Sequence, residues 1–62
     1  MLITKKNNSN EHKTINFNQL VNDLELFTGR KQNRIKLNYR LLSNENIYCN
    51  DFTYFIKING GF

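Results

Sequence analysis

The sequence predicts a small α+β domain of order β-β-α-β-β, an antiparallel sheet with one helix packed on one face. Three observations carry this. One segment has helical apolar spacing between recognisable cap residues. Two later runs alternate apolar and polar residues across a cluster of turn formers. The chain has 62 residues, 39% of them apolar, which suffices for one small core and a single domain over 1–62.

The first element is a hairpin. Leu2 to Lys6 and Glu11 to Ile15 flank Asn7-Asn8-Ser9-Asn10. With Asn8-Ser9 as the tip, Leu2 pairs with Ile15 and Lys6 with Glu11. Only Leu2, Ile3 and Ile15 are apolar there, and partial disorder is the alternative. The helix follows over about 17–28. Asn16 suits the N-cap and Gln19 completes a capping-box pair, with Ile15 and Leu20 at the staple positions. Phe17, Leu20, Val21, Leu24 and Phe27 recur at helical spacing, Leu26 falls beside the stripe, and Gly29 suits the C′ position.

Ile35, Leu37, Tyr39 and Leu41 then alternate with Arg34, Lys36, Asn38 and Arg40, which predicts a third strand. Phe52, Tyr54, Ile56 and Ile58 alternate with Thr53, Phe55 and Lys57, which predicts a fourth. Taking Asn44-Glu45 as the tip sets Ile35 opposite Tyr54, Leu37 opposite Phe52, Tyr39 opposite Asn50, Leu41 opposite Tyr48 and Arg40 opposite Cys49. A slip of one residue mixes the two faces, so this register is favoured, with a bulge near Asn50 as its most expected departure.

Little in the composition points to catalysis. His12 stands in a polar turn region with no nucleophile placed beside it by a known motif. Cys49 is the one thiol; a neighbouring Arg40 would activate it, whereas a lone strand Cys is ordinarily a packing residue. The carboxylates Glu11, Asp23, Glu25, Glu45 and Asp51 form no metal-binding pattern, and one Cys with one His cannot build a zinc site. Gly60-Gly61 opens no helix, so it is no phosphate loop. The expectation is a non-enzyme without metal or cofactor.

No apolar run reaches the roughly 18 residues of a membrane span. Lys5 and Lys6 follow Met1-Leu2-Ile3 at once, so no secretory segment is read. The single Cys fits a reducing compartment. Twelve Asn with no Ala, Pro or Trp indicate an AT-rich gene, as in low-GC bacteria and their phages. The expected location is the cytoplasm of a bacterial host.

The charge is more informative. Nine Lys and Arg against five Asp and Glu give +4 and a pI near 9.5, which favours acidic or polyanionic partners and argues against mimicry of DNA. Arg30, Lys31, Arg34, Lys36 and Arg40 fall within eleven residues without an intervening acid. On the expected strand, Arg34, Lys36 and Arg40 share one face, joined from the partner strand by Phe55 and Lys57. These seven residues form the expected partner-binding surface. Its candidate ligands are an acidic protein surface and RNA or single-stranded DNA; a solvated charged face is the bland alternative. Leu42, Ile47 and Phe55 would be exposed on the same side, which also admits a homodimer or a larger partner.

In length, AT-rich composition and lack of a catalytic set, the chain resembles small inhibitor proteins of phages and mobile elements, such as anti-CRISPR proteins. The resemblance carries no functional residue across. It implies action by binding a host defence nuclease or its ribonucleoprotein. The alternative function is a small nucleic-acid-binding module.

Overall fold

A computed structural model describes residues 2–56. It shows β1 (Leu2–Lys6), β2 (His12–Asn16), α1 (Phe17–Thr28), α2 (Arg34–Leu42), β3 (Ile47–Cys49) and β4 (Phe52–Phe55). The four strands form one antiparallel sheet in the order β2-β1-β4-β3. The α+β class stands, but the order is β-β-α-α-β-β, with two helices in place of one.

The N-terminal hairpin forms in a register one step from the expected one. Ile3 pairs with Ile15, Lys6 with His12 and Leu2 with Asn16. The tip holds three residues instead of two. Asn7 N–H donates to the Glu11 carbonyl at 3.1 Å, and Asn10 N–H donates to the Asn7 carbonyl at 3.2 Å. Asn10 takes a left-handed backbone at φ 64, which Asn tolerates better than most residues. Asn7 Oδ1 accepts from the backbone of Ser9 and Glu11 and fixes the turn. The longer tip sets Ile3 against Ile15, so both enter the core while Leu2 faces solvent.

Helix α1 begins and ends where its caps indicate. Asn16 accepts from Gln19 N–H, and the Gln19 side chain accepts from Asn16 N–H, both at 2.9 Å. Gly29 at φ 69 closes the helix with its N–H on the Glu25 carbonyl at 2.9 Å. Leu20, Val21 and Leu24 are buried, and Phe27 stacks at the margin on Phe52 with ring centroids 6.3 Å apart.

The expected third strand is helix α2. Its N-cap is Asn33, whose side chain accepts from Lys36 N–H at 3.1 Å. Its C-terminus is closed by Asn44 at φ 62. Asn44 N–H reaches the Leu41 carbonyl at 3.0 Å and Glu45 N–H the Arg40 carbonyl at 3.1 Å, the pair of bonds of a Schellman ending. Six of its nine residues are Leu, Lys or Arg, which are strong helix formers. Leu37 and Leu41 lie one turn apart and are buried. The apparent period of two is a superposition of two helical stripes, Leu37 and Leu41 inward, Ile35 and Tyr39 outward.

Loss of that strand moves the second hairpin. β4 pairs with Ile47–Cys49 and with β1, and Ile47 stands opposite Tyr54 while Cys49 stands opposite Phe52. The turn is Asn50-Asp51, with Asn50 at φ 59, so Asn50 is a turn residue and not a strand or bulge position. Neither Tyr39 nor Arg40 belongs to the sheet. Strand β4 ends at Phe55; Lys57 and Ile58, expected to extend it, lie outside the described residues.

One core cluster joins both helices to one face of the sheet. Ile3, Ile15, Ile47, Cys49 and Tyr54 meet Leu20, Val21 and Leu24 of α1 and Leu37 and Leu41 of α2. Ile47, expected outside, is 3% exposed because the new register turns it inward. A polar clasp sits at the edge of this layer. Asp23 Oδ2 accepts from Lys5 Nζ at 2.7 Å and from the Tyr54 hydroxyl at 2.9 Å. Lys5 Nζ also lies 4.3 Å from the Phe52 ring centroid.

Candidate partner interface

Because residues 34–42 are helical, the cationic sheet face is not formed. Successive helix positions turn by about 100°, so Arg34 and Lys36 diverge by about 160°. Arg34 turns toward α1, where Nη1 donates to Asn18 Oδ1 at 2.8 Å and the guanidinium lies 5.9 Å from the Phe17 ring centroid. Lys36 and Arg40 remain neighbours one turn apart. With Gln32, Asn33 and Leu37 they line a shallow recess of about 150 Å³. Arg40 Nε is 3.4 Å from Glu45 Oε1. Arg30 and Lys31 are exposed in the loop between the helices. Phe55 lies on the sheet face turned away from both helices, half-buried, and Lys57 is outside the described residues. Of the six expected site residues that lie among the described ones, Lys36 and Arg40 share one side of α2, whereas Arg30 and Lys31 lie in the loop and Arg34 and Phe55 face elsewhere.

The outer side of α2 carries residues that the strand reading assigned to the core. Ile35 is 84% exposed, Tyr39 70% and Leu42 61%. Their spacing of four and then three aligns them on one helix face. Leu42 was expected to be exposed; Ile35 and Tyr39 were not. The signal that reveals the stripe is the pair Asn33 and Asn44, the two caps that make the segment a helix. Lys36 and Arg40 flank the Tyr39 side of the stripe, and Arg34 and Asn38 the other. The result is an apolar strip with cationic margins.

Cys49 and His12 lie apart from α2, on the sheet. Cys49 is 7% exposed, and burial, followed by the nearby Asp23 carboxylate, pushes its thiol pKa up. It packs against the core as a neutral thiol, and its strand partner is Phe52 instead of Arg40. His12 is exposed on β2. Among the described residues no three His, Cys, Asp or Glu side chains gather as a metal site, and no helix is long and apolar enough to cross a membrane. Compared with known proteins, the chain matches no family model, no curated protein and no solved structure.

Proposed function

We propose that the chain is a non-enzymatic binding protein that docks the outer face of α2 into an apolar groove rimmed by acidic residues on another protein. The observation that carries this is the exposed row Ile35, Tyr39 and Leu42 beside Lys36 and Arg40. A helix presenting anchors at i, i+4 and i+7 is a recurrent docking mode, and a tyrosine is among the residues that contribute most when desolvated. The flanking cations and the net charge of +4 steer association toward an acidic rim. In this reading the protein serves as a phage or mobile-element inhibitor in the cytoplasm of a bacterial host. Its target is a defence nuclease held in a ribonucleoprotein, and it acts by occlusion without chemistry of its own.

The test is a cleavage assay on a panel of purified RNA-guided nuclease ribonucleoproteins, with parent chain and an Ile35→Ser, Tyr39→Ser, Leu42→Ser variant. The expected result is inhibition of at least one nuclease by the parent and its loss in a variant with an unchanged circular-dichroism melt. Absence of inhibition by the parent overturns the inhibitor role. Equal inhibition by a folded variant overturns the assignment to α2.

A further inference from the structure

The sheet has a second surface, on the side away from the helices. Strand pairing defines its rows. Thr14, Thr4 and Phe55 form one, across β2, β1 and β4. His12, Lys6, Thr53 and Tyr48 form the next, across all four strands. Phe55 borders a depression of about 380 Å³ lined also by Thr4, His12, Lys13 and Thr14. That volume is in the range of about 300–1,000 Å³ that accommodates one small ligand. Tyr48 is 72% exposed. It is diagonal to Phe55, a separation of about 7–8 Å on a sheet. The described strand positions on this face bear one lysine, one histidine, threonine hydroxyls, Asn16, two aromatic rings and, at one end, the exposed Leu2, and no carboxylate.

We infer that this open face binds single-stranded nucleic acid. The two rings supply stacking platforms, which accept any base because every base has a π-face. Their diagonal spacing is about twice the 3.4 Å rise per nucleotide of a duplex strand, so the bases they hold are splayed out of a helical stack. Lys6 on this face, and Lys13 at the rim of the depression on the edge strand β2, are placed to meet phosphates, and the threonine hydroxyls to bond base edges or sugar. The combination of cations, hydroxyls and rings without acids favours a polyanion with planar groups over an apolar protein surface. This surface is independent of the α2 stripe, since the two occupy opposite sides of the sheet layer.

Fluorescence anisotropy of labelled oligo-dT, oligo-U and a duplex of equal length, followed across a salt series, tests the inference. Single strands are expected to bind more tightly than duplex. Their log K should fall with log salt at a slope of about 0.7 per phosphate neutralised. Tyr48→Ala and Phe55→Leu are each expected to weaken binding, Tyr48→Ala by about 5- to 150-fold, as loss of one stacked base does. Lys6→Gln should reduce the salt slope by about 0.7. The α2 triple-serine variant should bind as the parent does. No binding of either single strand at low salt overturns the inference, as does equal affinity for duplex. So does binding that a folded Tyr48→Ala variant leaves intact, or that the α2 variant loses.

Discussion

At the scale of single residues, the clasp of Lys5, Asp23 and Tyr54 shows how a small core accommodates polar atoms. Tyr54 is fully buried, and its hydroxyl stays satisfied only because Asp23 reaches it from α1. Burial, the hydrogen bond to Asp23 and that carboxylate's charge together push the phenol pKa well above its ordinary value. Burial raises the Cys49 thiol in the same direction. Both groups therefore keep their protons in the folded chain at pH values where the unfolded chain has lost them. Their contribution is fully present below the unfolded pKa values and is lost as pH rises through and beyond them, from about pH 9 for the thiol and about pH 10 for the phenol. Denaturant melts are expected to show stability falling above about pH 9. Tyr54→Phe should cost about 1 kcal/mol at neutral pH through the lost hydrogen bond, and should flatten the alkaline loss. An alkaline slope identical in the variant would show that the phenol does not contribute.

At the scale of elements, the sequence was most legible where local chemistry and tertiary packing agree. α1 could be read to the residue because Asn16, Gln19 and Gly29 mark its ends and its apolar stripe has one direction. The sheet's antiparallel character was legible as well, through the strand run that begins at Phe52. α2 was not legible from periodicity, because it has two apolar stripes on opposite sides, and together they imitate alternation. Its caps were present in the sequence, but Asn44 also suits a hairpin tip, since turns and helix endings use the same left-handed backbone. The binding surface failed with the element: a cationic face built on strand geometry is dispersed by a helix, and of Arg34, Lys36 and Arg40 the last two stay neighbours while Arg34 turns toward α1. Two substitutions measure what specifies α2. Asn33→Ala removes the cap bond and should cost about 1 kcal/mol. Leu41→Ala opens space in the core and should cost about 2–5 kcal/mol. Equal costs in urea melts would show that Leu41 contributes no more than a cap.

At the scale of the whole molecule, the basic charge and the exposed apolar row act in opposite directions on self-association. Two copies packing their α2 stripes together would bury Ile35, Tyr39 and Leu42, a favourable exchange at about 25 cal/mol per Å² of apolar surface. The same packing would bring Arg34, Lys36 and Arg40 of each copy close to those of the other, with Glu45 beside Arg40 as the counter-charge among the described residues. Each molecule also carries a net +4. At low ionic strength this repulsion acts over a Debye length of about 30 Å at 0.01 M; at 1 M it is confined to about 3 Å. Sedimentation is therefore expected to show a monomer at low salt, with association growing as salt rises. The triple-serine variant of the α2 stripe should remain monomeric throughout. Nucleic-acid binding at the open sheet face should change the other way, weakening as salt rises. The two surfaces are thus separable in one salt series, without knowledge of the natural partner. A parent that remains monomeric at high salt would show that the α2 row is too small to associate with itself and needs a partner with a complementary groove. A dimer that dissolves with rising salt would mean that ion pairs, and not Ile35, Tyr39 and Leu42, hold the copies together.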